Sequence, residues 1–127
     1  MTDQPDSTPG AAGAPSCTVE EKRIGEVSVI SVTGTLDMLT APQLEAAISA
    51  ASAASPQAVV VDLAAVDFLA SAGMGLLVAA HGDLTPSVRF AVVADGPATS
   101  RPLKLVGIAD VVDVFPTLDE ALGAVAT

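Results

Sequence analysis

Tryptophan and tyrosine are absent from this chain of 127 residues, and three phenylalanines are its only aromatic side chains. A function that stacks bases or sugars on rings has little to work with, and the core must be built from valine, leucine, isoleucine and alanine. Basic residues are also scarce. Five Lys and Arg against fifteen Asp and Glu give a formal net charge of −10, a surface that repels phosphate backbones and anionic lipids. No nucleic acid and no membrane are therefore expected as partners; the acidity suits a protein with a basic patch, or solubility alone. Cysteine occurs once, at Cys17, so no intramolecular disulfide can form and a reducing cytoplasm is the simplest location. Histidine also occurs once, at His81. A lone Cys and a lone His do not furnish a transition-metal set, Asp62 and Asp67 lack calcium-loop spacing, and no Gly-x-x-x-x-Gly-Lys phosphate loop is present. No metal and no cofactor are expected. Apolar runs all fall short of a membrane span.

What is there suits one domain, with 50% hydrophobic residues to fill a core. Residues 1–16 carry Pro5, Pro9, Gly10, Gly13 and Pro15 among small and polar residues, and they read as a disordered tail without the features of a signal peptide. Residues 17–127 form the domain. Strands are expected over 17–24 and 26–36 with Gly25 in the turn, then a helix starting at Thr40. Thr40 and Gln43 make a capping-box pattern, Pro42 falls in the first turn, and Leu44, Ala47, Ile48 and Ala51 repeat at helical spacing. A buried strand over 58–63, a helix over 71–84 and a strand over 88–94 follow. Asp95-Gly96-Pro97 supplies a turn into a short helix that Gly107 ends, and Val111 to Phe115 reads as a short last strand. Thr117 and Glu120 form a second capping box before the final helix. This alternation predicts an α/β fold, a small mixed sheet covered by helices.

The run from Val59 to Leu77 is the most informative stretch. An apolar, β-branched strand gives way to a short acidic loop, and a helix begins at a serine, so Ser71 is expected to cap that helix. Free N–H groups of the first turn and the positive end of the dipole stabilise an exposed anion there by about 0.3–1 kcal/mol. Small residues crowd the junction at Ala70, Ala72, Gly73 and Gly75. Glycine within a helix costs about 1 kcal/mol relative to alanine, so either the helix packs close to the sheet or a partner approaches the backbone here. Serine catalysis is not expected. His81 lies ten residues along the same helix, about 15 Å away, and Ala70-Ser71-Ala72 lacks the Gly-x-Ser-x-Gly elbow. Asp37 reads as a carboxylate in the turn that ends a strand.

At these residues the chain resembles a known family. Asp62-Leu63, then Val66 to Gly73, followed by Met74-Gly75-Leu76-Leu77, resembles the phosphorylation-site segment of STAS domains, specifically bacterial anti-sigma factor antagonists. Val32 to Asp37 resembles the family's Gly-x-Leu-Asp strand end, and Arg101 to Ile108 its third-helix segment, so the resemblance covers roughly residues 17–126. One position departs. Ala70 stands where the family often has aspartate, which bears on the matching kinase and phosphatase more than on the fold. The resemblance implies about five strands and about four helices, no enzymatic activity, and a switch in transcription. The unmodified protein would bind an anti-sigma factor with serine kinase activity and free a sigma factor; phosphorylation of Ser71 would end this, and a serine phosphatase would restore it. The implied partner-binding residues are Thr35, Asp37, Asp67, Leu69, Ala70, Ala72, Gly73 and Met74, on a monomer or weak dimer. The alternative is a STAS module of a stressosome-like scaffold or a transporter accessory subunit.

Overall fold

An antiparallel hairpin of β1 (Cys17–Ile24) and β2 (Val27–Leu36) opens the structure, a computed structural model that describes residues 17–125. The expected tail, residues 1–16, lies outside the described residues. Gly25 takes φ +62° in the two-residue turn, a conformation that favours glycine. Parallel strands β3 (Ala58–Leu69), β4 (Arg89–Val93) and β5 (Asp113–Phe115) extend the sheet in the order β1-β2-β3-β4-β5.

Val59, Val60 and Val61 are all fully buried although successive strand residues face opposite ways, so helices cover both faces of the sheet. On one face α1 (Ala41–Ala53), α2 (Ser71–Leu84) and α3 (Ser100–Leu105) bring Leu44, Ile48, Leu77, Leu84 and Leu103 onto Ile30, Val61 and Leu63. On the other, α4 (Leu118–Val125) lays Ala121 and Val125 over Val29, Val60 and Val93. The core is aliphatic apart from Phe90, and each fully buried Leu, Val or Ile contributes about 1.5–3 kcal/mol. Five strands in a mixed sheet and four helices agree with the expected fold.

Local differences have identifiable causes. Strand β3 ends at Leu69, not at residue 63, because the segment expected to be an acidic loop stays paired with β2 through two register shifts, between Ser31 and Thr33 and between Gly34 and Thr35. Those shifts break the two-residue alternation that marks a strand, which is why Asp62 to Asp67 looks like a loop. Thr40 does not form the capping box with Gln43. It has αR backbone angles and makes no side-chain cap bond, its hydroxyl being engaged with Thr35 and Asp37. Ser71 is not an N-cap either: Ala70, at φ −88° and ψ 169°, holds that position, and Ser71 is the first helical residue. Half of the Thr117 box is present: Glu120 N–H donates to Thr117 Oγ1 at 3.2 Å, while the Glu120 carboxylate lies 3.4 Å from the Thr117 hydroxyl and does not take the Thr117 N–H. Gly107, left-handed at φ +83°, ends the turn after α3.

Candidate functional site

Pairing of β2 with β3 puts the two informative segments side by side. Leu36 lies opposite Leu69, and Ala70 N–H donates to the Leu36 carbonyl at 2.9 Å, so Asp37 and Ser71 leave adjacent strand ends. Helix α2 then starts hard against that junction. A Cβ on Gly73 would lie 2.8 Å from Leu36 Cγ and 3.0 Å from Leu69 Cδ1, so only glycine permits this approach. Gly75 differs, since a Cβ there meets nothing within 4 Å and the residue is exposed. The two glycines thus divide the expected causes: Gly73 serves packing, and Gly75 leaves bare backbone at the surface.

Asp37 and Thr40 organise the β2–α1 loop. Asp37 Oδ1 accepts the N–H groups of Leu39 at 2.9 Å and Thr40 at 3.1 Å. Thr40, buried at 3% exposure, accepts Asp37 N–H at 2.9 Å through Oγ1 and lies within donating distance of three acceptors, the farthest being the Asp37 carbonyl at 3.5 Å. Its single proton goes to the Thr35 carbonyl at 2.8 Å in preference to Asp37 Oδ1 at 3.2 Å. Cys17, at the start of β1 opposite Gly34, borders this loop. Burial pushes its thiol up, a hydrogen bond with Thr40 works the other way, and the charge of Asp37 adds to the rise.

Ser71 is exposed, and its hydroxyl makes no hydrogen bond to a described residue. Intrahelical bonding begins with Met74 N–H donating to the Ala70 carbonyl at 3.1 Å, and no side chain caps the helix, so the first-turn N–H groups face outward beside that hydroxyl. Asp67 is exposed close by on β3, its Oδ1 3.4 Å from Thr35 Oγ1, a long and weak contact. The segments that carry Asp37, Asp67 and Ser71 hold no basic residue, since no Lys or Arg occurs between Arg23 and Arg89.

Of the residues expected to bind a partner, the structure brings Thr35, Asp37, Asp67, Ala70 and Ala72 to this surface around Ser71, with Met74 half-buried beside it. Leu69 and Gly73 are buried, so their side-chain positions shape the junction from below and do not present a contact. Three residues of the surface were not anticipated. Met38, Leu39 and Phe68 are 75%, 68% and 56% exposed, an apolar fringe around the two carboxylates. The signal was the Met-Leu pair standing between a turn aspartate and a helix start, where no core position is available. His81, half-buried far along α2, belongs to a different part of the molecule. Among the described residues no cluster of His, Cys, Asp and Glu could hold a metal ion, and no helix is long and apolar enough to cross a membrane.

The arrangement is a small acidic and apolar surface with one free hydroxyl at its centre, and the sequence model of the STAS domain matches residues 18–121 across it. The chain belongs to the STAS domain family. This STAS domain is 43% identical over 99 residues to the anti-sigma-F factor antagonist RsfB of Mycobacterium tuberculosis, covering 78% of this chain and 81% of RsfB. It also resembles the crystal structure of an anti-sigma factor antagonist from Mycobacterium paratuberculosis, at 48% identity and a TM-score of 0.85, covering 88% of this chain and 96% of that one. The Bacillus cell fate determinant SpoIIAA in its phosphorylated form shares the fold, at 22% identity and a TM-score of 0.64, covering 85% of this chain and 99% of that one.

Proposed function

We propose that this STAS domain is an anti-sigma factor antagonist that binds an anti-sigma factor through the Ser71 surface and is controlled by phosphorylation of Ser71. The relatives at 43% and 48% identity are anti-sigma factor antagonists, which supports that role. The observation that carries the site is the exposed, unbonded Ser71 hydroxyl at the first position of α2, among carboxylates and apolar side chains. Met38, Leu39 and Phe68 supply the apolar area, and Asp37 and Asp67 meet basic groups on the partner. The anti-sigma factor is a serine kinase that brings its own ATP, a serine phosphatase reverses the modification, and the exchange takes place in the cytoplasm.

Phosphate adds about −1.5 to −2 charge at Ser71. In the free protein the helix N-terminus favours it, while Asp37 and Asp67 oppose it, each by no more than about 1 kcal/mol across an exposed, salt-screened surface. These effects roughly cancel. In the complex they do not, because desolvating a charge without a matched partner costs several kcal/mol. Titration calorimetry against the cognate anti-sigma factor tests this: Ser71→Ala retains affinity, and Ser71→Glu loses at least about tenfold, the equivalent of about 1.4 kcal/mol. Equal affinity of the two variants removes Ser71 from the interface.

A further inference from the structure

Outside the Ser71 surface, the exposed large apolar side chains gather at one other place. Leu105, Val106 and Val111, at 76%, 59% and 53% exposure, follow one another around the end of α3. Of the eight such residues described, six belong to this patch or to the fringe formed by Met38, Leu39 and Phe68. The charge on α3 itself is opposite, whereas the exposed Asp110 and Asp113 flank Val111. Residues 97–109 contain no acidic residue, and Arg101 and Lys104, two of the chain's five basic residues, stand exposed one turn apart on α3. Neither side chain has an ion-pair or hydrogen-bond partner among the described residues. They flank an open groove lined by Pro97, Ser100 and Leu105.

A surface that combines basic and apolar groups is covered by one that combines acidic and apolar groups. This chain carries such a surface itself. We propose that a second copy of this chain docks on α3, laying Asp37, Asp67 and its Met38, Leu39 and Phe68 side chains against Arg101, Lys104, Leu105 and Val106. Residues 1–16 fit less well, since they offer Asp3 and Asp6 but no large apolar side chain beyond Met1. The net charge of −10 repels whole molecules at a distance, but that repulsion is screened beyond about 8 Å at physiological ionic strength, whereas contacting opposite charges are not. The contact joins two different patches, so each added copy leaves one of each kind free. Docking also covers Ser71. On the function proposed above, self-association and anti-sigma binding exclude each other.

Sedimentation of the full chain over a concentration series provides the test. The weight-average mass should climb past about twice that of one chain as concentration rises, with no plateau at a dimer, because head-to-tail contact does not close. Lys104→Glu and Asp67→Lys should each remain monomeric alone, and an equimolar mixture of the two should recover association, since each retains the patch that the other has lost. Phe68→Ser replaces Asp67→Lys if the melting temperature of the latter falls. A wild-type chain that stays monomeric throughout, association that neither variant alters, or a mixture that fails to recover it would each overturn the proposal. Lys104→Glu should bind the anti-sigma factor as the wild type does, so loss of self-association is separable from any failure of the functional reading.

Discussion

Asp37 has two carboxylate oxygens in different circumstances, and they can be separated by substitution. Oδ1 holds the Leu39 and Thr40 N–H groups, the work of a cap, while Oδ2 has no hydrogen-bond partner among the described residues. Asp37→Ala should therefore lower stability by about 1 kcal/mol through the loop alone, in addition to weakening the anti-sigma complex. Asp37→Asn keeps the acceptor, so its thermal melt should match the wild type while calorimetry shows weaker binding. Unchanged binding of the Asn variant would confine the carboxylate to the loop. Cys17 offers a pH-dependent readout of the same region. Its thiol is raised in the folded state, so the stabilisation from keeping it protonated is full below the ordinary thiol pKa of about 8.5 and is lost as pH rises through the raised value. Iodoacetamide should label Cys17 more slowly in the native chain than in urea near pH 8.5, about where an ordinary thiol is half ionised.

At the scale of the element, α2 contains a built-in comparison. Gly73→Ala gains about 1 kcal/mol of helix propensity but drives a methyl into Leu36 and Leu69, both buried, an overpacking cost of about 1–3 kcal/mol. Gly75→Ala gains the same propensity into open space. Thermal melts should place the Gly75 variant above the wild type and the Gly73 variant below it. Phosphorylated Ser71 protein should keep its circular dichroism spectrum and melt within a few degrees of the unmodified chain, since the charge effects on α2 nearly cancel; partial unfolding would mean control through the fold.

The elements also show what can be read from a linear chain. Helix α2 was legible over its whole length because no proline interrupts Ser71 to Leu84 and the small and apolar residues of its first three turns outweigh their glycines. Its cap was not, since Ser71 has the favoured chemistry but Ala70 has the extended backbone, tied to Leu36 by a bond between segments distant in sequence. The same holds for Thr40. Its spacing to Gln43 suits a capping box, yet the tertiary demand of the Thr35 carbonyl takes the hydroxyl away. The far half of β3 was hidden because bulges depend on the partner strand, which local alternation does not report. Ser71, Asp37 and Asp67 were visible as types and spacings. Met38 and Leu39 were signalled by their place between Asp37 and a helix start, but that Phe68 joins them depends on exposure, of which an apolar residue within a strand gives no warning.

For the whole molecule, a net charge of −10, with no Lys or Arg between Arg23 and Arg89, makes a negative potential that steers a basic partner towards it. Association with the anti-sigma factor should slow by about tenfold or more between low and high ionic strength, while dissociation, governed by the apolar contacts, changes far less. Stopped-flow mixing at several salt concentrations would measure both rates; a salt-independent association rate would show that the acidity serves solubility alone.

The register that joins Leu36 to Leu69 carries a consequence for the order in which the chain acquires its structure. The β1–β2 hairpin is local, closed by a two-residue turn, and can form early. Strands β2 and β3 are parallel and separated by the whole of α1, so their pairing waits on a long loop closure. Asp37 and Ser71 become neighbours only when that closure is complete. A part-folded chain in which β2 and β3 have not yet paired holds both residues and yet lacks the surface that the proposed function requires, so on that function unfinished molecules do not engage the partner.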